Sequence, residues 1–419
     1  MNILTTSLCY PTPGHPDQGV FVHRRAEALA ARPGVNLSVV SPQPWLPLLR
    51  RCERIDPQDQ PLPAIYPHLI SMPVLGWITD GLAYAGTLLR IIARRPRAGL
   101  PPIDLIDAHF VYPDGVGAWL AGGRLGIPVA VTVRGKIVRL SRRAIRRMQI
   151  AAMLRGVDAR IAVSRSLVHW VHKVGGSDLD VDLIPNGVRP DMYRLVDRRW
   201  ARIALGWSEN ARYVLGVGHL QRIKGFDRLV AIMPGLRAVL GDVRLVLVGS
   251  RRGEWWFARS IRRLIDRCNR EAGCPLIDFV GPVGSEQLNL LYNAADVMVN
   301  SSRIEGWNNA ISEALAAGTP VVATDVGGNP EQIRSGDLGI IVPDNDMDAL
   351  TAAVKSSLTR TWNRARIASL GGARTWTSVA GEVCVVFERV LTARAAAAAS
   401  APSRSTVVSG RAAAVEGAT

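Results

Sequence analysis

The sequence contains 419 residues, of which 48% are hydrophobic, and it carries a net charge of +16. This length exceeds one ordinary hydrophobic core, so we expect two domains. The five cysteines are scattered, odd in number and without metal-ligand spacing, which argues against a disulfide framework and favours a reducing cytoplasm. Residues 1–190 hold 23 basic and 13 acidic side chains, an excess that favours anionic partners for this half.

Short apolar runs alternate with helical patterns along the chain. The first run, in MNILTTSLCYPTPGHP, lacks the basic start of a signal peptide and is interpreted as a buried strand that ends in a Pro/Gly loop. The runs predicted as strands are residues 3–8, 37–40, 105–108, 129–133, 159–163, 181–184, 213–216, 244–248, 277–280, 297–300, 320–324 and 339–342. Helical stretches lie between them, as parallel strands require, so the pattern predicts an α/β fold with two doubly wound domains.

We place the domain junction in the polar stretch 185–200, which gives an N-terminal domain of 1–190 and a C-terminal domain of 191–392. The last helix of the second domain, at about 379–391, is apolar enough to pack, and we expect that it packs back on the first domain. Residues 393–419 are rich in Ala, Ser and Gly and are predicted to form a disordered tail. The apolar run 72–93 is interrupted by Asp80 and glycines, which favours a core or interfacial helix over a membrane span.

The stretch 300–331, NSSRIEGWNNAISEALAAGTPVVATDVGGNPE, carries the clearest functional signal. Glu305 and Glu313 flank a segment that reads as a loop turning into a helix, followed by a buried strand and a Gly-Gly turn. Anionic acceptors, Asn amides and a helix N-terminus would then surround one point. Such a point suits a sugar nucleotide, with phosphates at the helix end and hydroxyls at the carboxylates.

Several further motifs occur in a fixed order around this stretch. They are Gly19 in an N-terminal glycine loop, IPNGV at 184–188, Gly218 followed by KGFD at 224–227, VG at 248–249, FVG at 279–281, EALAAGTPVV at 313–322 and GGNPE at 327–331. This set resembles the family 4 glycosyltransferases, which are retaining enzymes of the GT-B architecture, with two Rossmann-like domains facing a cleft. The resemblance covers roughly residues 1–392, and the N-terminal half looks like the subgroup that builds bacterial cell-surface polysaccharides.

The resemblance implies a metal-free site with no cofactor, in which fixed cations neutralise the departing diphosphate of a UDP- or GDP-linked sugar. Lys224 is expected to be the main cation, supported by Arg222 or His219 from the same loop. The alternative for each is a solvated loop cation. Glu305 is expected to face the donor sugar and hold its hydroxyls.

Most of the remaining donor contacts are also expected from the C-terminal domain, and one from the N-terminal glycine loop. Glu313 is expected to accept from the ribose hydroxyls, and Gly218 and Gly19 to let the backbone approach the phosphates, although Gly19 could be a simple turn glycine. The amides of Trp307, Asn308 and Asn309 are expected near the diphosphate, with core packing the favoured alternative for Trp307. The two acids could also be ordinary helix-surface residues.

Two residues at strand ends of the first domain are candidates for the acceptor or the transferred sugar. His109 follows the strand 105–108, although a structural histidine is about equally expected, and Arg134 follows the strand 129–133. Three positions depart from the family pattern: His219 stands where an arginine is common, Arg134-Gly135 replaces His-Gly, and Asn308 replaces a glycine.

The run 134–155 contains eight Lys or Arg residues and no acid, with apolar residues between them. We interpret it as a basic helical region that lies on an anionic membrane and presents a lipid-linked acceptor, the alternative being a solvated basic face. Nucleic acid is disfavoured because aromatic residues are sparse here and no nucleic-acid motif occurs.

The sequence therefore predicts a glycosyltransferase of hexosyltransferase type, cytoplasmic and peripheral on the inner face of the plasma membrane. It would extend a lipid-linked or polysaccharide acceptor from a nucleotide sugar, with the acceptor on the first domain and the nucleotide on the second. Two alternatives remain, a nucleotide-sugar epimerase of the same architecture and a non-catalytic component of a polysaccharide assembly complex.

Overall fold

A computed structural model of the chain describes residues 1–45, 62, 64–72, 76–135, 137–250 and 254–400. Within these ranges two large parallel sheets form in succession, each with helices on its faces. The predicted α/β class with two doubly wound sheets is confirmed. All twelve predicted strands lie within or overlap observed strands, while three short ones, β3 to β5 below, carry no clear sequence signal.

The first sheet has seven parallel strands. The strands of this half of the chain are β1 (Asn2–Thr6), β2 (Asn36–Val40), β3 (Gln43–Trp45), β4 (Ala64–Ile65), β5 (His68–Ile70), β6 (Leu105–His109), β7 (Val129–Val133), β8 (Ala159–Ala162) and β9 (Asp182–Leu183). Strands β3 and β5 form a separate parallel pair, and the other seven form the sheet. The strand order is β4-β2-β1-β6-β7-β8-β9. Every residue of β6 and β7 is buried, as expected where helices cover both faces of a parallel sheet.

The second sheet has six parallel strands. They are β10 (Arg212–Val217), β11 (Val243–Val248), β12 (Ile277–Gly281), β13 (Val297–Asn300), β14 (Val321–Thr324) and β15 (Gly339–Val342), in the order β12-β11-β10-β13-β14-β15. The order reverses direction between β10 and β13, and in the first sheet between β1 and β6. Open α/β sheets bind ligands at the carboxyl ends of the strands beside such a reversal.

Fifteen helices occur in the described part of the chain. They are α1 (Val20–Ala30), α2 (Gly76–Arg94), α3 (Val116–Leu125), α4 (Ile137–Leu140), α5 (Ala144–Gly156), α6 (Arg165–Gly175), α7 (Arg198–Leu205), α8 (Phe226–Leu240), α9 (Trp255–Ala272), α10 (Ser285–Ala294), α11 (Asn309–Ala316), α12 (Asn329–Gln332), α13 (Met347–Thr359), α14 (Arg364–Gly372) and α15 (Trp376–Ser400). None of them is long and apolar enough to cross a membrane. Helix α2, which contains most of the apolar run 72–93, packs on α3 and buries Tyr84 and Leu88.

Helix α15 returns to the first sheet after the second sheet is complete. Val379, Val383 and Phe387 are buried in a cluster with Ile3 and Ile161 of the first sheet. The chain therefore crosses between the sheets twice, and the crossings lie side by side, since Val188 forms a parallel bridge with Thr375.

Helix α15 continues to Ser400, so residues 393–400, predicted as part of a disordered tail, are helical. Alanine has the highest helix propensity of any residue, and the run of alanines extends a helix that is already anchored by its apolar face. The remainder of the predicted tail, 401–419, lies outside the described residues.

Candidate active site

Lys224 and Glu305 form an ion pair where the loops after β10 and β13 meet. Lys224 Nζ lies 2.6 Å from Glu305 Oε1, and the two side chains are 19% and 8% exposed. The same carboxylate oxygen also accepts from Ser302 Oγ at 2.8 Å and from Asn308 Nδ2 at 3.0 Å. Lys224 is predicted to contact phosphate and Glu305 to contact sugar hydroxyls, and in the structure the two side chains bind each other.

The loop that carries Lys224 begins at Gly218. This glycine has φ of +154°, a backbone conformation that other residues rarely adopt, and a Cβ atom there would be in ordinary van der Waals contact with the aliphatic stem of Lys224 at 3.5 Å. His219 Nδ1 lies 2.6 Å from Ser250 Oγ and 4.0 Å from Asp17 Oδ2, an acid in the loop after β1. Arg222 is exposed, and its contacts with Glu254 and Arg303 are made by main-chain atoms. His219 therefore faces the first domain, whereas Arg222 points to solvent.

Gly19 caps the N-terminus of α1 in the left-handed conformation, with φ of +67°. A Cβ atom on it would lie 2.0 Å from the carbonyl oxygen of Cys9, so no other residue fits without moving the backbone. The fold alone requires glycine here, in keeping with the turn-glycine alternative. Gly19 directly precedes Val20 and Phe21, which line the cleft.

The segment between the two acids is held mainly by its own side chains. Asn308 caps α11, its Oδ1 accepting from the Ala310 amide at 3.0 Å, while Asn309 Oδ1 accepts from Asn186 Nδ2 of the first domain at 2.9 Å. The indole of Trp307 packs against the hydrophobic core of the first sheet, in keeping with the packing alternative. These residues thus join the domains and shape the site, whatever their contact with a ligand.

Glu313 lies on α11, one helical turn after Asn309, and is separate from the Lys224–Glu305 pair. Tyr292 Oη donates to Glu313 Oε2 at 3.0 Å. Burial raises the pKa of Glu313 to about 7, although hydrogen bonds from Tyr292 and Tyr193 act in the opposite direction. The carboxyl group lines an interdomain cleft together with Phe21 and Arg24 of α1. Glu305 therefore precedes α11 and Glu313 lies within it, and each carboxylate has its own hydrogen-bond partners.

His109 lies at the end of β6 in a fully buried network. Its Nε2 donates to Asp107 Oδ2 at 3.3 Å, and its Nδ1 accepts from Arg134 Nη2 at 3.2 Å. Burial and the charge of Arg25 lower the pKa of His109 to about 3, so the ring is neutral. Asp107 is paired with Arg25, and although burial opposes it, the charge of Arg25 and the hydrogen bonds from His109 and Arg25 hold the pKa of Asp107 well below its usual range. Both ring nitrogens of His109 are used within the protein, which favours the structural alternative.

Arg134, at the end of β7, continues this network toward the second domain. Its Nη1 donates to Asn186 Oδ1 at 3.1 Å, and its guanidinium lies 4.5 Å from the centre of the Phe21 ring. Asn186 in turn donates to Asn309. Burial and the neighbouring charge of Arg25 lower the pKa of Arg134 to about 9, so it remains a cation at neutral pH.

Backbone contacts bring the domains close at the acidic loop. A Cβ atom on Gly306 would lie 2.6 Å from the amide nitrogen of Gly135, which follows Arg134. On the other side, Glu331 Oε1 accepts from the main-chain amide of Arg165 at the start of α6, at 2.8 Å. The site is therefore assembled from both domains, with the acidic loop at its centre.

Sequence reasoning missed several residues of the site. Arg25 and Asp107 form its buried ion pair, Ser302 supports Glu305, and Tyr193 and Tyr292 enclose Glu313. The run Asp107-Ala108-His109 at a strand end could have indicated a buried pair, because alternate residues of a strand share one face. Among the described residues, no group of three His, Cys, Asp or Glu side chains is arranged to hold a metal ion.

The fold, two doubly wound domains that border a cleft, is the GT-B architecture. A sucrose-phosphate synthase from Thermosynechococcus elongatus superposes with a TM-score of 0.73 at 22% identity, over 94% of this chain and 100% of that one. Anabaena HepE, in a complex with UDP and glucose, gives a TM-score of 0.70 at 20% identity, over 93% and 99% of the two chains. At these identities the likeness establishes the fold alone.

The sequence itself matches two family models. Residues 18–192 match the family described as Glycosyltransferase Family 4, and residues 211–360 match Glycosyl transferases group 1. These two matches lie one in each half of the chain and together cover most of it, so the chain is similar to glycosyltransferases in both domains. A D-inositol 3-phosphate glycosyltransferase of Segniliparus rotundus is 28% identical over 285 residues, which are 64% of this chain and 62% of that relative. The match thus spans less than two thirds of the relative's length.

Proposed function

We propose that the protein is a retaining glycosyltransferase that moves a sugar from a UDP- or GDP-linked donor to a lipid-linked or glycan acceptor in cell-surface glycan synthesis. The observation that carries the proposal is the Lys224–Glu305 pair. It lies at the reversal point of the second sheet, where ligands of open α/β sheets bind, and the loop that carries Glu305 touches Gly135 of the first domain.

Lys224 supplies the cation that the reaction needs. Breaking the bond between sugar and diphosphate leaves negative charge on the departing oxygen, and an ammonium group held near that oxygen stabilises the charge. A single well-placed donor of this kind contributes about 3 kcal/mol to the transition state. The donor diphosphate would compete with Glu305 for Lys224, and Glu305, once released, would be free to accept from sugar hydroxyls. His219, 41% exposed and facing the first domain, is positioned as a second donor.

Glu313 is proposed to accept from the ribose hydroxyls of the nucleotide, since it lines the cleft apart from Glu305. A nucleotide-sugar donor is supported by Anabaena HepE, whose structures contain UDP or UDP-glucose. The curated relatives are named for inositol 3-phosphate, a small phosphorylated acceptor. The proposal of a lipid-linked or glycan acceptor therefore depends on the surface of this chain.

That surface is the exposed side of α4, α5 and the start of α2. Ile145 is 44% exposed, Met148 70% and Leu82 64%. Four arginines around them are exposed: Arg139, Arg142, Arg143 and Arg147. Apolar side chains surrounded by arginines suit the interface of an anionic membrane, so we propose a cytoplasmic protein that is peripheral on the inner face of the plasma membrane.

Nucleotide binding and turnover test the enzymatic part. Titration calorimetry with UDP, GDP and their common sugars should identify one donor. With that donor, Lys224→Ala should reduce sugar transfer or donor hydrolysis on the order of a hundredfold. Lys355→Ala, at an exposed lysine on α13, is the matched control and should leave the rate unchanged. Full activity in Lys224→Ala would contradict the role, an epimerised donor would identify the epimerase, and an inverted anomeric carbon in the product would exclude retention.

Vesicle binding tests the membrane part. Reversing the charge of Arg139, Arg142, Arg143 and Arg147 to Glu should release the protein from vesicles containing phosphatidylglycerol, because each arginine near such a surface contributes about 1 kcal/mol. The control reverses four exposed arginines of α9 in the second domain: Arg259, Arg262, Arg263 and Arg267. Equal binding by both quadruple variants would exclude the proposed surface.

A further inference from the structure

The buried network at the ends of β6 and β7 has more positive than negative charge. Arg25 is 2% exposed, Asp107 and His109 are 0% and Arg134 is 5%. His109 is neutral, because it donates to Asp107 and accepts from Arg134. Of the carboxylates in the described ranges, Asp107 is the one paired with this network, and it is bound by Arg25. One guanidinium is left without a counter-ion.

That guanidinium belongs to Arg134. Its hydrogen-bond partners, His109 and Asn186, are neutral, and its Nε is buried without any partner. An unpaired charge in a protein interior is costly, and such groups are normally paired with a counter-ion or bound to a ligand. By contrast, the buried Arg202 of the second domain has the carboxylate of Asp296 at 2.7 Å.

Arg134 lies on the cleft side of the first sheet. It follows the last residue of β7, at the carboxyl edge where ligands of such sheets bind. Its guanidinium covers the ring of Phe21, and Asn186 links it to Asn309; both Phe21 and Asn309 line the cleft. The adjacent Gly135 touches the acidic loop at Gly306. A ligand in the cleft would therefore bring its own groups to this cation.

We infer that Arg134 selects a substrate that carries a second anionic group, a carboxylate or phosphate besides the nucleotide diphosphate, and that this group is the missing counter-ion. The inference rests on the proposed sugar transfer. Two sources fit the same chemistry, a donor whose sugar is a uronic acid and an acceptor that bears a phosphate or carboxylate.

Calorimetry with wild type, Arg134→Gln and Arg134→Lys separates the sources. In the donor arm, UDP-glucuronate should bind wild type about 10- to 100-fold more tightly than UDP-glucose, the strength of a charge-assisted hydrogen bond. In the acceptor arm, the UDP-saturated protein is titrated with inorganic phosphate and with glucuronate. Whichever arm shows the anion preference, Arg134→Gln should abolish it and Arg134→Lys should retain part of it. Equal affinity of wild type and Arg134→Gln in both arms would overturn the inference.

Two controls separate this result from misfolding and from failure of the enzymatic proposal. If Arg134 lacks a counter-ion, Arg134→Gln should leave the melting temperature of the free protein unchanged or raise it. Arg202→Gln, which removes the buried partner of Asp296 and leaves it paired with the half-exposed Arg198, should lower it. A lowered melting temperature in both variants would point to a structural arginine. UDP alone should bind wild type and Arg134→Gln equally, and absence of UDP and GDP binding would contradict the enzymatic proposal rather than this inference.

Discussion

Glu313 is a carboxylic acid enclosed by two tyrosines at the floor of the cleft, and burial raises its pKa from 4.5 to about 7. Between these values the folded protein holds a proton that the unfolded chain releases, so the contribution of Glu313 to stability falls as pH rises. We expect wild type to lose on the order of 1–2 kcal/mol relative to Glu313→Gln between pH 5 and pH 8.

Thermal melting of both proteins at pH 5 and pH 8 measures this difference. Glu388→Gln, at an exposed glutamate of α15, serves as the control and should melt in parallel with wild type at both values. A melting-temperature difference between wild type and Glu313→Gln that does not change with pH would show that the carboxyl group is ionised throughout.

At this scale the sequence predicted which residue types converge but not how they pair. Lys224 and Glu305 are far apart in sequence, and their spacing carries no information that each is the other's partner without a ligand. A ligand-binding and a structural role for His109 are about equally expected from the sequence. The structure shows why: Asp107 lies on the same strand as His109, but its other partner, Arg134, follows the neighbouring strand β7. Pairing across strands depends on tertiary geometry, which a motif does not contain.

The acidic loop and the loop after β7 meet through two glycines, a contact between elements of different domains. A Cβ atom on Gly306 would lie 2.6 Å from the Gly135 amide, so Gly306→Ala must push the loops apart. A displacement of about 1 Å near reacting groups can cost on the order of a hundredfold in rate. We expect sugar transfer to fall at least about tenfold while each domain stays folded.

Steady-state kinetics with the identified donor, together with circular dichroism, checks this expectation. Gly235→Ala in α8 is the matched control: nothing lies within 4 Å of its added Cβ, and alanine favours helix there. Wild-type kinetics in Gly306→Ala would mean that the domains do not need this close contact during turnover.

Among the secondary-structure elements, the sequence pattern predicted the strands that are buried along their whole length and missed three short ones that are only partly buried. Strands β6 and β7 are buried along their whole length and mostly apolar, and they were predicted within a residue of their bounds. The short edge strands β4 and β5 bury few side chains and gave no pattern. The end of α15 was predicted as tail because its alanines carry no amphipathic signal, yet the anchored helix extends through them.

The whole molecule is held by a chain that passes between the domains twice. The outgoing segment, which contains Gly187, and the returning segment, which contains Thr375, are in backbone contact: a Cβ atom on Gly187 would lie 2.5 Å from the carbonyl carbon of Thr375. Arg374 adds a hydrogen bond to the carbonyl oxygen of Pro185 at 3.0 Å. Since α15 then packs on the first sheet, that sheet's core is completed by residues that follow the second sheet in the chain.

This arrangement predicts that the stability of the first domain depends on the far end of the chain. Phe387 of α15 is fully buried, and Phe387→Ala should destabilise the protein by about 3–5 kcal/mol, the cost of lost apolar contact plus the cavity left behind. Val385→Ala, at a position 63% exposed on the same helix, should have little effect, as should truncation after Arg394. Urea unfolding followed by tryptophan fluorescence measures all three. Equal stability of Phe387→Ala and Val385→Ala would show that the first sheet does not need the returning helix, because Phe387 is buried against that sheet and Val385 is not.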